Sequence, residues 1–365
     1  MKALVSPNNQ FVIATDHGSD RVMIHRMDAS AGTLTRHEEV DVEPADGVTA
    51  DSAPGGMVWI PGGEFTMGSD WGYPEEGPTH QVSLDGYWID RYPVTNELFE
   101  RFVETTNYVT VAERTPRPTD YPGVPPEKLV AGSAVFHQPP GKVDLADPAN
   151  WWRYTPGANW RRPAGPAGDS IEQRGDNPVV QVAFDDALAF ADWADKELPT
   201  EPQWEYAARG GLEGQAYAWG DDDLNVAPHE LANVWHGEFP WDNRKRCSPG
   251  VEPTGRYPAN GFGLFDMIGN VWEWTLDYWS PGHGQMVADE ESGFCCSPAS
   301  PRAEVAFAEV AAPTFALRVL KGGSFLCAPN YCARFRPAAR IPQASDSSSN
   351  HMGFRCVLPG SGGTS

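Results

Sequence analysis

Asn260-Gly-Phe-Gly-Leu-Phe-Asp-Met-Ile-Gly-Asn-Val-Trp-Glu-Trp274 and Lys321-Gly-Gly-Ser-Phe-Leu-Cys-Ala-Pro-Asn-Tyr-Cys-Ala-Arg-Phe-Arg336 carry most of what this chain says about its fold and chemistry. Both lie beyond residue 210, where the sequence predicts short strands joined by loops. In the second stretch Cys327 and Cys332 stand five residues apart with Pro329 between them, so the chain can turn back and bring both sulfurs to one point. A metal ion, a disulfide and a plain buried thiol pair are all compatible with that spacing. Structural zinc sites show C-x2-4-C with a second ligand pair, and free cysteine often acts as a small buried hydrophobe.

The 365 residues allow one large domain or two ordinary ones, with ample material for a core. A hydrophobic content of 40% with 14 tryptophans marks a folded chain. The opening Met1-Lys-Ala-Leu-Val-Ser-Pro7 has no apolar run ending in a cleavage site, and no stretch reaches membrane-spanning length, so a soluble cytoplasmic protein is expected. Six cysteines do not demand an oxidising compartment, which leaves thiols available as ligands or nucleophiles. A formal charge of −23 disfavours nucleic acid and favours a basic peptide as partner. With 37 glycines and 34 prolines, many turns and little regular structure are expected.

Residues 1–50 differ from the rest. Phe11–Thr15, a polar turn, Arg21–His25 and Gly32–Thr35 predict a strand, turn, strand, strand unit resembling one blade of a lactonase-type β-propeller. An acidic linker, Glu38 to Ala53, follows, giving an extension over 1–53 and a main domain over 54–365. Strand pairs are predicted over 57–69 and 82–90. Thr95 is placed to cap a helix with Leu98, Phe99, Phe102 and Val103 on one face. Residues 112–177 read as loop. A helix over Asp185–Asp195 is expected to bury Ala187, Phe190, Ala191 and Ala194, and Thr200-Glu-Pro-Gln203 opens a further helix ended by Gly210-Gly211.

Taken in order, several stretches resemble the formylglycine-generating enzymes, also called sulfatase-modifying factors. They are Ile60-Pro-Gly-Gly-Glu-Phe-Thr-Met-Gly68, Arg91-Tyr-Pro-Val-Thr-Asn96, Leu198-Pro-Thr-Glu-Pro-Gln-Trp-Glu-Tyr-Ala-Ala-Arg-Gly-Gly211, Ala232-Asn-Val-Trp-His-Gly-Glu-Phe-Pro240, Asn260–Trp274, Lys321-Gly-Gly-Ser324 and Gly353-Phe-Arg-Cys356. The resemblance implies an α+β fold of the formylglycine-generating-enzyme and C-type-lectin-like kind, with few helices, short twisted strands and long loops. Scaffold motifs such as Gly-Asn-Val-Trp-Glu-Trp are shared with lectin-like display proteins and iron-dependent sulfoxide synthases, so they speak for architecture alone. The pair Cys327 and Cys332 stands where the formylglycine-generating branch carries its active-site cysteines.

The resemblance further implies an oxidase that converts a sulfatase cysteine, in an unfolded C-x-P-x-R segment, to Cα-formylglycine with molecular oxygen. Cys327 and Cys332 would hold Cu(I), a soft ion suited to two thiolates, and the substrate thiolate would join as a third ligand. Ser324 and Tyr331 would supply hydroxyls beside the metal. The nine histidines show no H-x3-H pair of the kind a non-haem iron triad would use. For structural Ca²⁺, the family's loop matches Asp266 and Glu273 as carboxylate donors, with Gly269 and Val271 giving backbone carbonyls. A second family calcium site begins at the position of Asn233-Val234, but its expected acidic residue falls near Arg246, so that ion is not expected here.

Other departures bear on function. His351 stands where asparagine is frequent in the family, beside the active site. Cys356 aligns with a disulfide cysteine of eukaryotic members, but Ala208 occupies its mate's place and Pro337 replaces another, so those bridges are not expected. Phe294-Cys-Cys-Ser-Pro-Ala-Ser-Pro-Arg302 is an addition in which Cys295 and Cys296 have no assigned role, and Ser300 stands where a target motif would need arginine. The competing readings are a non-catalytic binding module of this fold and a related thiol oxidase with another substrate.

Overall fold

Short runs rich in apolar and β-branched or aromatic residues form the strands of this chain, and loops join them. The computed structural model describes residues 54–220, 231–245, 249–283 and 315–360, and the backbone of the strands within residues 2–41. Residues 1–53 and 54–365 are two separate compact units.

The first unit is an antiparallel meander of β1 (Lys2–Val5), β2 (Phe11–Thr15), β3 (Arg21–Asp28) and β4 (Thr33–Asp41), paired in sequence order. Two features differ from expectation. Lys2–Val5 is a strand too short to stand out by pattern, and β4 runs on to Asp41, so the strand takes over the start of the expected acidic linker.

In the second unit β5 (Met57–Ile60) pairs with β8 (Tyr87–Asp90), and β6 (Gly63–Met67) with β7 (His80–Leu84). Helix α1 (Asn96–Thr106) starts where Thr95 Oγ1 accepts the Leu98 N–H, and ends at Asn107 in the left-handed region. Its Phe99, Phe102 and Val103 are buried, whereas Leu98 is 41% exposed, one position off the core-facing stripe. The aromatic cluster around Phe99 includes Trp160, Phe190 and Phe354. Each such buried ring contributes on the order of 1.5–3 kcal/mol.

The stretch expected to be loop holds a hairpin, β9 (Gly132–Phe136) with β10 (Trp152–Pro156). The fifteen-residue, proline-bearing connection between them conceals the pairing from any local reading. Helix α2 (Phe184–Trp193) begins one residue earlier than expected and stops two earlier, with Ala194 as its cap and only partly buried. Helix α3 (Glu201–Arg209) has the reciprocal cap anticipated: Thr200 Oγ1 accepts from Gln203 N at 3.3 Å, and Gln203 Oε1 accepts from Thr200 N at 2.9 Å.

The sheet that positions the site has the order β13–β12–β11–β14. Strand β11 (Trp272–Tyr278) is antiparallel to β12 (Leu317–Lys321), which pairs with β13 (Arg340–Ala344), while β14 (Met352–Gly353) lies parallel to β11. Glu273 therefore faces Lys321 on one side and Gly353 on the other. Strand β15 (Val357–Pro359) joins β8. No helix among the described residues is long and apolar enough to cross a membrane.

Candidate active site

Strand β12 ends at Lys321 and gives way to Gly322 and Gly323, both with positive φ. A Cβ on Gly322 would meet the Trp204 ring at 2.9 Å, and one on Gly323 would meet Arg334 O at 2.9 Å, so this turn requires glycine twice. Beyond it, Ser324 N donates to Cys327 Sγ at 3.4 Å and Cys327 N donates to Ser324 O at 2.9 Å. Ala328 and Cys332 then exchange two backbone hydrogen bonds, of 3.0 and 2.9 Å, which close the loop around Pro329, Asn330 and Tyr331. The expected convergence follows: Cys327 Sγ and Cys332 Sγ lie 3.5 Å apart, both fully buried.

Cys332 is held in a disulfide. Its bond is not to Cys327, whose sulfur stands at hydrogen-bond rather than covalent distance. The thiolate pair thus exists only after reduction. Tyr331 stacks on Phe239 at 4.8 Å and meets Trp151 edge-on at 5.5 Å, giving the site an aromatic wall. Asn330 fastens the tip, accepting from Phe239 N at 3.3 Å and donating to Glu238 at 3.3 Å.

Ion pairs clamp both ends of this segment. Lys321, fully buried, donates to Glu205 Oε2 at 2.9 Å and to Ala338 O at 3.2 Å. Glu205 also accepts from Arg209, at 2.6 Å, and from Gly68 N at 2.8 Å. Burial raises the Glu205 pKa, but Lys321 and Arg209 outweigh it and hold the group at about 2. On the far side Arg334 pairs with Glu75 and lies 3.6 Å from the Tyr73 ring centroid, and Arg336 donates to Glu76 at 2.7 Å. Sequence patterning gave no sign that Lys321, Arg334 and Arg336 would meet carboxylates more than a hundred residues away.

With Cys332 reduced, the pair fits a soft ion of low coordination such as Cu(I). Two sulfurs face each other, and among the described residues no group of three or more His, Cys, Asp and Glu side chains could hold a metal ion. The residues expected to bind calcium have these surroundings. Asp266, 6% exposed, accepts from Gly255 N at 2.7 Å on Oδ2, and burial pushes its pKa up to about 6. Glu273 is bound on both oxygens by Arg355, at 2.7 and 2.8 Å, and by Trp204 Nε1 at 2.8 Å. Its charge is already balanced, so Asp266 is the carboxylate of the set with charge left to share. Gly269 and Val271 flank Asn270 in sequence, and carboxylate and carbonyl oxygens are the donor type that Ca²⁺ takes.

The position of the second family calcium site is different. Lys245 Nζ donates to Asn233 Oδ1 at 3.0 Å and to Tyr257 OH at 2.9 Å, with Glu252 Oε1 at 3.5 Å. An ammonium therefore fills that oxygen cage, which does not fit a second calcium ion. Arg246, Cys295 and Cys296 lie outside the described residues. Cys356 is a free buried thiol whose pKa burial pushes well up. His351 is fully within the protein, its Nδ1 3.0 Å from Ser324 Oγ.

Among the described residues a small mixed sheet, three short helices and long loops place a buried cysteine pair on a glycine turn, which defines a protein of the formylglycine-generating-enzyme and C-type-lectin-like fold. The sulfatase-modifying factor enzyme 1-like domain family matches residues 44–359, and this chain belongs to that family. The seven-bladed lactonase β-propeller family matches residues 2–48. A curated relative is the formylglycine-generating enzyme of Mycobacterium tuberculosis, 50% identical over 82% of this chain and 97% of that one. The inactive C-alpha-formylglycine-generating enzyme 2 of Mus musculus is 35% identical over 82% of this chain and 85% of its own. Among solved structures, PvdO from Pseudomonas aeruginosa has a TM-score of 0.51 at 22% identity, covering 83% of this chain and 94% of that one, a likeness of fold.

Proposed function

We propose that this protein oxidises a sulfatase cysteine, presented in an unfolded C-x-P-x-R segment, to Cα-formylglycine with molecular oxygen, using Cu(I) held by Cys327 and Cys332. The observation that carries the reading is the buried sulfur pair, 3.5 Å apart, in a chain half identical to a formylglycine-generating enzyme. Bound copper would supply oxygen activation. The protein's own share is positioning and exclusion of water. Ser324 N–H, donating to Cys327 Sγ, fixes where that sulfur stands. Trp151, Phe239 and Tyr331 wall one side, and the Ser324 and Tyr331 hydroxyls would supply polar groups to reacting oxygen.

Electron balance sets the assay. Converting the cysteine methylene and its thiol to an aldehyde consumes one water, releases hydrogen sulfide and yields two electrons. Oxygen takes four on reduction to water, so an external dithiol, or a pair of thiols, must give two more and leave as a disulfide. The same reductant opens the Cys332 disulfide. Reduced, Cu(I)-loaded protein is incubated with a C-x-P-x-R peptide, air and excess dithiothreitol, and the peptide is weighed by mass spectrometry. Aldehyde product that disappears with Cys327→Ser and with Cys332→Ser is the expected result. Unchanged peptide at full copper occupancy would refute the reading. The inactive mouse relative favours a second one, a binding module, for which the peptide would bind and stay intact.

A further inference from the structure

We propose that His351 is a positioning residue that fixes the polarity of the Ser324 hydroxyl, committing its hydrogen to the Cys327–Cys332 site. The kinetic consequence rests on the oxidase reading; the hydrogen-bond arrangement stands on geometry.

A serine hydroxyl has one hydrogen to give and two lone pairs to receive. Ser324 is fully buried, so all three are decided by protein neighbours or by whatever binds at the site. Leu326 N–H donates to Oγ at 3.3 Å and takes one lone pair. His351 Nδ1, 3.0 Å away, either gives a hydrogen to the other lone pair or takes the hydroxyl hydrogen for itself. The imidazole is 1% exposed and packs edge-on against Trp152 at 4.9 Å. Burial pulls its pKa down to about 3, so the ring is neutral and carries a single N–H.

Nε2 decides where that hydrogen sits. It is buried and has no hydrogen-bond partner among the described residues. A hydrogen on Nε2 would strand a donor without an acceptor, whereas a hydrogen on Nδ1 strands only a lone pair, and buried orphan donors are the rarer case in proteins. The Nδ1–H form follows, and it donates to Ser324. Both Oγ lone pairs are then filled and the hydroxyl is left with one capacity, to donate. Its own backbone is tied to Cys327 in both directions, through Ser324 N to Sγ and Cys327 N to Ser324 O, so the hydroxyl sits on the turn that carries the sulfur. His351 is itself held, because Trp272 N donates to its carbonyl at 2.9 Å next to β14.

Two measurements test this. With ¹⁵N-labelled histidine in reduced, metal-free protein at pH 7, the His351 ring, assigned by its loss in His351→Asn, is expected protonated on Nδ1 and bare on Nε2, with the Nδ1–H signal displaced in Ser324→Ala. Protonation on Nε2 overturns the proposal. In the peptide assay, Ser324→Ala and His351→Phe are each expected to lower kcat on the order of tenfold to a hundredfold, as for removal of one aimed donor, with Cu(I) affinity from a chelator competition unchanged. The double variant should fall no further, and His351→Asn, whose amide can also donate, should recover most of the loss. A double variant that falls by the product of the two single effects overturns the proposal, since a merely structural histidine would act independently of Ser324. Thermal melts confirm that His351→Phe is folded, and His351→Asn serves where it is not. If wild-type protein leaves the peptide intact, the oxidase reading falls and the tautomer result alone decides the hydrogen-bond assignment.

Discussion

Glu205→Gln should destabilise the main domain by about 3 kcal/mol at pH 7, with a loss that fades in acid. Glu205 is fully buried against Lys321 and Arg209, and its folded pKa is about 2 against an ordinary 4.5, a difference equivalent to about 3 kcal/mol. A folded pKa below the unfolded one gives stability that is present above pH 4.5 and lost as pH falls toward 2. The gap between wild type and Glu205→Gln should therefore be widest above pH 5 and shrink by pH 3. Removing one member of a buried pair also strands the other, and the general cost of that, about 3–5 kcal/mol, agrees in size. Urea unfolding followed by tryptophan fluorescence is suited to the measurement, since every tryptophan lies beyond residue 54 and reports on the second unit alone. A loss under about 1 kcal/mol at pH 7, or one that does not change between pH 5 and pH 3, would refute the assignment of Lys321 and Glu205 as the clamp on the cysteine segment.

Asp266 should behave in the opposite sense: its folded pKa of about 6 exceeds 3.8, so its contribution is favourable below pH 3.8 and lost as pH rises through 6, by about 3 kcal/mol. Asp266→Asn should remove that slope, and millimolar Ca²⁺ should restore stability above pH 6 in wild type and leave the variant unaffected; parallel pH profiles of melting temperature would count against it. Lys245→Met should lower stability by about 1–3 kcal/mol, since Asn233 and Glu252 lose the buried cation between them while Glu252 keeps Arg256 and Tyr257; a melting temperature within a degree of wild type would contradict the ammonium's role. Arg336→Leu should unpair the buried Glu76 and lower stability by a similar about 3–5 kcal/mol, measured by urea titration; an unchanged midpoint would mean that the ion pair is not formed in solution.

What the sequence reveals, and what it hides, follows from the range of each interaction. Thr95 and Thr200 cap helices through contacts three residues away, so their roles are legible in a short window. The C-x4-C turn is equally local, and its convergence of sulfurs could be read from spacing. The β9–β10 hairpin is not local, because fifteen residues separate its strands. Charge pairing is less legible still: Glu205 meets Lys321 across 116 positions, and nothing in either residue's neighbourhood names the other. Leu98 shows a different limit, where one step of helical phase separates core from surface. The Ser324–His351 contact joins two residues whose separate signals, a hydroxyl near the cysteines and a departure from asparagine, acquire meaning only when β12 and β14 are seen to flank the same strand.

That strand, β11, acts as the ruler of the site. Neighbouring strands lie about 4.8 Å apart, so β12 and β14, on either side of it, are separated by about twice that distance. Lys321 closes β12 just before the glycine turn to Ser324, and His351 immediately precedes β14. The gap between hydroxyl and imidazole is thus inherited from backbone pairing on both faces of Glu273, whose own carboxylate is locked by Arg355 and Trp204. A fold with so few helices and such short strands has little ladder with which to hold a reactive loop. Buried ion pairs do that work here, at Lys321, Arg334, Arg336 and Arg355, and each carries a desolvation cost that apolar packing would avoid. Their arrangement around one segment is best understood as positional: they fix where Cys327, Cys332 and Ser324 stand, and a substitution that replaced them with well-packed apolar residues should leave stability largely intact while loosening the sulfur pair.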